Sequence, residues 1–279
     1  MKNKSKIIYR ILLVVFCVGF VVSVSVMVVD WLKQKGAQDR FEQLASQQTQ
    51  ESQTVEESSQ DESQETESET ETEVDILAQL GITIPEKNLD WEAIWKENED
   101  IYAWIYIPNT VIDYPVLQHP TDDKYYLEYN LDGSKGRPGC IYSEGKYNTK
   151  DFSDFNTVLY GHNMRNGTMF ADLHLFEDST FFEENRYIYI YMPEKVLVYD
   201  IYGAYATNSK HILATYKTVS DGGKQKYIDH ITGIRDMAAH FRKEVSITTT
   251  SNLLTLSTCV RGDYNKRYLL QGVLINDEF

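Results

Sequence analysis

The chain has 279 residues, and its 42 acidic residues outnumber its 27 lysines and arginines, which gives a formal net charge of −15 at pH 7. We expect no nucleic-acid partner. The sequence contains no phosphate-binding glycine loop and no cysteine–histidine spacing typical of zinc. We therefore expect neither a cofactor nor a metal ion.

The N-terminal segment has the pattern of a membrane anchor. Residues 1–10 carry four basic side chains, and residues 11–29 follow without a charge. About 20 apolar residues in a helix cross a bilayer core, and no small-x-small cleavage site follows this run. The positive-inside rule places the basic residues in the cytoplasm. We predict a cytoplasmic basic tail (1–10), a single-pass transmembrane signal anchor (11–29) in the cell membrane, and an extracellular C-terminal domain. A cleaved secretion signal, the alternative, would also export the domain.

Residues 30–75 change to a polar composition. Between Glu51 and Asp75 there are eleven acidic residues and no basic ones, and the remainder is mostly Ser, Thr and Gln. Such a segment cannot bury enough apolar surface to offset the entropy lost on ordering. We expect 30–75 to be an acidic disordered linker that lifts the domain off the membrane. The rest of the chain has a net charge of only −4, so the acidity belongs mainly to this linker.

Residues 76–279 have the pattern of a mainly β domain. A helical segment is expected over Asn88–Asn98, where apolar residues form one face behind an Asn or Asp cap. About eight β-prone runs follow between turn signals, and their spacing predicts a closed or nearly closed barrel. Two helical interruptions are expected, over Thr168–Phe176 and, longer, over Lys224–Lys243. The predicted strands are 104–107, 111–118, 139–142, 157–160, 187–192, 196–206, 245–256 and 268–275.

Three residue types associated with covalent catalysis stand at predicted strand ends. Cys259 follows the strand residues Thr-Leu-Ser-Thr, and Arg267 comes eight residues later at the start of the next strand. His162 follows an apolar strand in the sequence Gly-His-Asn. Taken singly, the cysteine is more simply a buried inert thiol and the histidine a structural one. Together with the arginine they supply a nucleophile, a general acid–base and an oxyanion or substrate clamp, the parts of a cysteine transferase.

At these motifs the chain resembles the sortases, and within them the class B branch. The resemblance rests on residues 159–163 (Leu-Tyr-Gly-His-Asn), on residues 255–259 (Thr-Leu-Ser-Thr-Cys), and on Arg267 at class B-like spacing. Residues 104–118 look like the family's first barrel strands, and the resemblance covers roughly residue 88 to the C-terminus. It implies a closed eight-stranded sortase-type β-barrel, with an N-terminal helical segment and a long helix between late strands.

The resemblance also implies the chemistry. A sortase cleaves a C-terminal sorting motif of a secreted protein, holds the acyl fragment as a thioester, and transfers it to an amine of a cell-wall precursor or a pilin lysine. Cys259 would be the nucleophile, and His162 the general acid–base whose imidazolium favours the thiolate. Arg267 would hold the substrate carbonyl or the oxyanion. Ser257 matches a position that contacts substrate in class B relatives, and Asn163 is a further candidate for substrate binding.

Several alternatives stay open on the sequence alone. A cysteine hydrolase would share the acyl-enzyme and use water, and a non-catalytic extracellular binding module could keep the same barrel. Arg261 competes with Arg267 as the catalytic cation, and Arg267 could instead form a surface ion pair with Asp263 or Glu278. Anchoring of surface proteins to the cell wall and polymerisation of pili both fit the sortase interpretation.

The remaining cysteines and histidines are expected to be structural. Cys17 lies in the predicted span, and a disulfide between Cys140 and Cys259 would silence the nucleophile. We expect instead that Cys140 is a buried, inert thiol. Five histidines match no motif and are expected to be structural or exposed: His119, His174, His211, His230 and His240.

Overall fold

A closed ring of β-strands forms the centre of the computed structural model, which describes residues 2–50 and 76–276 and the side chains of residues 12–46 and 76–276. The strands in this part of the chain are β1 (Ile101–Tyr106), β2 (Asp113–Leu117), β3 (Ile141–Tyr142), β4 (Asn156–Tyr160), β5 (Tyr187–Tyr191), β6 (Val196–Asn208), β7 (His240–Phe241), β8 (Leu253–Val260) and β9 (Asp263–Leu274). They pair in the order β5–β1–β2–β3–β4–β8–β9–β6, and pairing of β6 with β5 closes the ring. The predicted eight-stranded barrel is therefore confirmed, with β7 as a short additional strand on β6.

Short helices connect the strands, and one long helix precedes them. They are α1 (Lys2–Gln50), α2 (Ile76–Gln79), α3 (Trp91–Glu97), α4 (Tyr125–Glu128), a 3₁₀ helix (Ala171–Glu177), α5 (Ser179–Glu184), α6 (Ile212–Tyr216) and α7 (Asp221–Thr232). The predicted N-terminal helical segment is α3. The Asp90 carboxylate caps it by accepting from the Ala93 N–H at 3.0 Å, and Ile94 is fully buried beneath it. The predicted interruption after residue 168 is the 3₁₀ helix.

Large side chains are buried on both faces of the barrel wall. Trp104 and Ile105 of β1 and Leu254 and Leu256 of β8 are fully buried. Residues 253–258 of β8 are buried without alternation, because one face of the strand meets the barrel interior and the other is covered. This double burial explains why the apolar and polar residues of this strand alternate only loosely in the sequence.

A buried polar network attaches α7 to the outside of the barrel. The Gln271 amide donates to the Thr255 hydroxyl at 2.8 Å and to the Tyr227 hydroxyl, and Tyr227 belongs to α7. The Thr255 hydroxyl in turn donates to the Asn156 side-chain oxygen at 2.9 Å. Since a buried polar group without a partner is costly, this network fixes which face of α7 meets the strands.

The helix between the late strands is shorter than the sequence predicts. Ser220 caps its start, and it ends at Gly233, whose N–H bonds the Asp229 carbonyl, so the expected helix over Lys224–Lys243 is wrong beyond Thr232. The following residues contribute β7 instead. The Ile234 N–H bonds the Ile231 carbonyl at 3.2 Å, so the last turn tightens to i→i+3 bonds, as is common at helix ends.

The predicted strand over 245–256 is wrong for its first half. Residues 245–252 form a loop, in which the Thr248 N–H is bonded to the Ser251 hydroxyl at 3.0 Å and the Thr250 N–H to the Thr248 hydroxyl at 3.3 Å. Hydroxyl side chains that bond nearby backbone groups compete with a strand ladder. The β-branched threonines therefore mislead a prediction that counts only propensity.

The predicted linker is wrong over residues 30–50, where α1 continues as a helix. Phe41 and Leu44 of α1 are buried against the domain, the Phe41 ring packs edge-on to Tyr114 at a centroid distance of 5.6 Å, and Arg40 lies 3.5 Å from Asp132. Because the segment is mostly polar, the sequence does not indicate that these two apolar side chains are buried. Residues 51–75, which hold the acidic run, lie outside the described residues.

Within the described part, one helix, over Leu12–Ser46, is long and apolar enough to cross a membrane.

Candidate active site

The parallel pairing of β4 and β8 brings two of the predicted site residues to the same end of the barrel. Tyr160 is the register partner of Ser257, so His162 and Cys259 both lie just beyond this paired position. The Gly161 N–H donates to the Ser257 carbonyl at 3.2 Å, and the Thr258 hydroxyl donates to the Gly161 carbonyl at 2.8 Å. Backbone bonds thus fix the histidine-bearing segment directly on the cysteine-bearing strand.

Arg267 reaches the same end of the barrel from β9. It is the cross-strand partner of Cys259, and its Nη1 donates to the carbonyls of Tyr264 and Lys266 at 3.1 and 2.9 Å. Asp263 pairs with Lys266 at 3.8 Å, so the surface ion pair considered for Arg267 with Asp263 does not form. Glu278, the other partner considered, lies outside the described residues. The backbone bonds orient the guanidinium without neutralising its charge.

The competing cation points elsewhere. Arg261 is exposed, and its Nη2 lies 3.5 Å from the Met164 carbonyl. It does not line the cavity that contains Cys259. The structure therefore favours Arg267 over Arg261 as the cation of the site.

One open cavity of about 440 Å³ collects the predicted residues. His162, Ser257, Cys259 and Arg267 line it. Its remaining walls come from the α4 region, the ends of β3, β4 and β6, the β6–α6 segment, and strands β8 and β9: Lys124, Leu127, Tyr142, Tyr160, Gly161, Thr207, Asn208, Ser209, Lys210, His211, Ile212, Thr258 and Leu269. Among the described residues, no three His, Cys, Asp or Glu side chains converge in a way that could hold a metal ion.

The thiol of Cys259 is free and half-buried, as a nucleophile requires. Cys140 is also a free thiol, but it is 1% exposed in the core, with its Sγ 3.7 Å from the Tyr129 carbonyl. Burial raises the pKa of the Cys140 thiol well above its ordinary value. The disulfide considered from the sequence is not formed, and Cys140 has the surroundings of an inert thiol.

His162 is held by a single backbone acceptor. Its Nε2 lies 2.9 Å from the Leu127 carbonyl, which can only accept, so Nε2 carries the proton of the neutral ring. Nδ1 is then the nitrogen available for proton exchange. Burial lowers the pKa of His162 below its ordinary value of 6.5, the bond to Leu127 opposes this shift, and the charge of Arg137 adds to it. The resting histidine is therefore favoured as neutral imidazole, rather than as the imidazolium expected from the sequence.

Two glycines allow the chain segments around His162 to pack closely. A Cβ on Gly161 would lie 2.5 Å from Ile141 Cδ1 and 2.7 Å from the Phe170 ring. Gly139 has φ of +69°, and a Cβ there would lie 2.7 Å from the Tyr126 carbonyl and 3.5 Å from the His162 ring. Side chains at either position would displace the segments around the histidine.

The two residues predicted to bind substrate lie in different surroundings. Ser257 is 5% exposed and lines the cavity two residues before Cys259, on the same face of β8, because side chains alternate along a strand. The Asn163 side chain does not line the cavity, and its Nδ2 donates to the Cys259 carbonyl at 2.9 Å. This bond favours a positioning role for Asn163 over the predicted substrate contact.

His211 is a cavity residue that the sequence did not identify. Its Nδ1 accepts from the Ala214 N–H at 3.2 Å and caps α6, and its Nε2 lies 2.5 Å from Glu144 Oε2. Because Nδ1 accepts, Nε2 carries the proton and donates to the carboxylate. A histidine directly before a helical run is a weak capping signal, but nothing local reveals the distant Glu144.

Comparison with known proteins places this geometry in a family. The sortase domain model matches residues 105–275. Sortase B of Listeria monocytogenes is 33% identical over 188 residues, which cover 64% of this chain and 72% of the relative. The crystal structure of sortase B of Clostridium perfringens superposes with a TM-score of 0.58 at 30% identity, covering 66% of this chain and 99% of that one. A sortase B–substrate complex of Staphylococcus aureus gives 0.57 at 27% identity, covering 66% and 84%.

The domain match spans more than half of the chain, and it includes His162, Cys259 and Arg267. The resemblance drawn from the motifs is thereby confirmed. The barrel, its N-terminal helix and the sequence identity to sortase B proteins all indicate the class B branch of the family. The chain belongs to the sortase family, in its class B branch, and is a cysteine transpeptidase of that class.

Proposed function

We propose that this protein is a membrane-anchored transpeptidase that cleaves a C-terminal sorting motif of secreted proteins and transfers the acyl fragment from Cys259 to an amine. The observation that carries the proposal is the convergence of Cys259, His162 and Arg267 on one cavity. A thiol, an imidazole and a guanidinium meet there in the roles of nucleophile, general acid–base and carbonyl clamp.

Acylation begins with His162 as a neutral imidazole that acts as a base. The neutral ring accepts the proton of the Cys259 thiol, and the thiolate attacks the carbonyl carbon of the scissile amide. Arg267 stabilises the charge that develops on the carbonyl oxygen. As the C–N bond breaks, the imidazolium gives its proton to the leaving amine, and a thioester on Cys259 is left. The lowered pKa of His162 makes the imidazolium a stronger acid for this step.

Transfer reverses these roles. An acceptor amine attacks the thioester carbonyl, the C–S bond breaks, and the amine proton passes to His162 and then to the departing thiolate. The acceptor is an amine of a cell-wall precursor or a pilin lysine, as the family implies. Ser257 lies beside the nucleophile on the same cavity wall and would contact the motif.

The membrane anchor is supported by the N-terminal part of α1. Apolar side chains from Leu12 to Val29 are exposed along the helix, which leaves them free to face lipid. The basic residues before the span orient the N-terminus to the cytoplasm and the barrel to the outside.

Intact-mass spectrometry of the full-length protein in detergent tests the proposal. Incubation with a panel of sorting-motif peptides should add the mass of one acyl fragment, and Cys259→Ala should abolish the adduct. The matched variant Cys140→Ala removes the other thiol of the domain and should keep it. An adduct on Cys259→Ala, or none with any peptide, would contradict the proposal.

Transfer and hydrolysis are separated by the product. With a lysine-containing peptide or a cell-wall stem peptide present, a transpeptidase should release the ligated product in preference to the free acid. Release of free acid alone, at every amine concentration, would identify a cysteine hydrolase instead. Comparison of the two amines distinguishes wall anchoring from pilus polymerisation.

A further inference from the structure

The backbone carbonyl of the proposed nucleophile is held by two side chains from outside its strand. The register of β8 and β9 shifts directly after Cys259, where regular pairing stops. The Asn163 Nδ2 lies 2.9 Å from the Cys259 carbonyl oxygen, and the His174 Nε2 lies 3.1 Å from the same atom. Two donors, one from the segment after β4 and one from the 3₁₀ helix, thus converge on a single oxygen.

His174 is fixed on its other side as well. Its Nδ1 lies 2.6 Å from Glu177 Oε1, and its ring stacks on Tyr268 at a centroid distance of 4.9 Å and an interplanar angle of 28°. A backbone carbonyl can only accept a hydrogen bond, so Nε2 is the donor toward Cys259. The Glu177 carboxylate holds the ring from its other side.

Asn163 links this arrangement to the catalytic histidine. Asn163 follows His162 directly in the chain and bonds the Cys259 carbonyl. Gly161, on the other side of His162, makes two further hydrogen bonds to the cysteine-bearing strand, so His162 is held between residues that are attached to β8. Movement of the Cys259 backbone would therefore change the distance between the thiol and the imidazole.

We propose that His174, acting with Asn163, is a positioning residue that holds the Cys259 backbone so that the thiol faces His162 and reacts as a nucleophile. The proposal deepens the proposed function and rests on Cys259 as its nucleophile. It assigns a functional role to a histidine that was expected from the sequence to be structural or exposed.

Alkylation of the thiol provides a readout that needs no substrate. Full-length protein in detergent is treated with iodoacetamide across a range of pH, and the C–S bond that replaces iodide on the reagent is followed by peptide mass at Cys259. His174→Phe keeps a ring on Tyr268 and removes the donor. We expect its alkylation at neutral pH to slow by about tenfold and its kcat/KM for acylation to fall by roughly ten- to hundredfold, the effect of a misplacement of about 1 Å.

Two further variants isolate the hydrogen bond. His174→Gln places an amide donor near the position of Nε2 and should recover part of the loss. The matched control is His230→Phe, since His230 is an exposed histidine that also packs on a tyrosine, Tyr216, at 5.4 Å. It should alkylate and acylate at the wild-type rate.

Rates of His174→Phe within twofold of wild type in both assays would overturn the proposal. If thermal melting shows that His174→Phe does not fold, Asn163→Asp carries the same test, because it keeps the shape and turns a donor toward the Cys259 carbonyl into an acceptor. A failure of the proposed function can be told apart from a failure of this proposal. If the proposed function is wrong, the wild-type protein forms no thioester, but the alkylation rate still shows whether the reactivity of the Cys259 thiol depends on His174.

Discussion

Cys259 and Arg267 lie directly opposite each other on the antiparallel strands β8 and β9, at the last regular pair before the register shifts. Opposite residues project to the same face with their Cβ atoms about 5 Å apart. The turn at the end of β8 therefore sets the eight-residue spacing between nucleophile and cation. This cross-strand pairing supports the proposed role of Arg267 as the cation that binds the substrate carbonyl.

Replacement of Arg267 should cost far more activity than replacement of Arg261. Loss of a preorganised donor to an oxyanion lowers kcat by roughly 10²–10³-fold, and we expect a loss of this order for Arg267→Ala. Arg267→Lys keeps the charge but not the planar fork and should recover little. Arg261→Ala, which removes an exposed cation outside the cavity, is the control and should stay within about twofold. Steady-state acylation kinetics measure all three, and the reverse order would reassign the cation.

Gly161→Ala should displace His162. The added Cβ would meet Ile141 and Phe170 at distances that real Cβ atoms do not show, so the chain before the histidine must shift. We expect destabilisation of about 1–3 kcal/mol in denaturant unfolding together with a large loss of acylation rate.

Gly222→Ala is the matched control for this prediction. Gly222 lies in the first turn of α7, and a Cβ there meets no heavy atom within 4 Å. Alanine is the better helix former, so this variant should be neutral or slightly stabilising. Equal behaviour of the two alanine variants would show that space around Gly161 does not position His162.

The sequence predicts those features that are encoded locally. Thr157–Tyr160 and Leu253–Leu256 have β-prone residues in short runs, and Cys259 and His162 lie at the ends of these strands. Arg267 was expected at the start of its strand but lies inside β9, which begins four residues earlier at Asp263. The N-terminal helix was predicted correctly because it is also encoded locally, while the strand spacing predicted a closed or nearly closed barrel and the family resemblance implied its eight strands. Element ends were harder to predict, since α7 ends early at Thr232 and threonine hydroxyls hold 245–252 as a loop.

The features that were missed depend on partners far away in the chain. His211 meets Glu144 across 67 residues, and His174 meets the Cys259 carbonyl across 85 residues. Neither pairing follows from periodicity or from a motif, because the pairs form only when the barrel closes. The same holds for Phe41, whose role as a buried residue requires Tyr114 from β2.

The lowered pKa of His162 predicts how stability depends on pH. Below the unfolded value of about 6.5, the unfolded chain binds a proton that the folded protein still resists. The stability contribution of neutral His162 is thus fully present above that pH and is lost as the pH falls toward the lower, folded value. His162→Gln should melt with a weaker dependence on pH in this window. An unchanged dependence in thermal melts would contradict the burial argument.

Arg137 should affect the pKa of His162, and this effect should be visible in the pH dependence of catalysis. Its positive charge contributes to the lowered pKa of His162, so Arg137→Gln should raise that pKa. Because the neutral imidazole is the base for acylation, the acidic limb of kcat/KM against pH should move to higher pH in this variant. Arg165→Gln, an exposed arginine near the same segment, is a control that should leave the limb in place. A limb that does not move in Arg137→Gln would exclude this electrostatic contribution.

Glu144→Gln should loosen the cavity wall that His211 forms. The carboxylate is nearly buried and accepts a bond from His211, and a hydrogen bond to a charged group contributes about 1.5–3 kcal/mol. We expect a loss of stability of this order, and a rise in KM that exceeds the change in kcat, since α6 borders the cavity but carries no reacting group. Glu128→Gln is the matched control, because its ion pair with Lys135 is exposed and contributes little. Similar unfolding free energies for the two variants would show that the His211 bond contributes no more than a surface pair.

Truncation of the chain should reveal whether α1 is part of the folded domain. Its residues Phe41 and Leu44 are buried and Arg40 meets Asp132, so a protein that begins at residue 34 should melt at a higher temperature than one that begins at residue 76. Phe41→Ala in the longer protein should cost about 3 kcal/mol, as loss of a buried aromatic ring does.

Gln43→Ala, on the exposed face of the same helix, is the control and should have almost no effect. Equal melting temperatures of the two truncated proteins would mean that the helix does not pack on the barrel in solution. The barrel would then be joined to the membrane span only by a spacer. If the longer protein is the more stable, the helix that leaves the proposed membrane span packs directly on β2. The cavity containing Cys259 would then sit at a fixed height above the bilayer, which limits the substrates it can reach to those presented near the membrane surface.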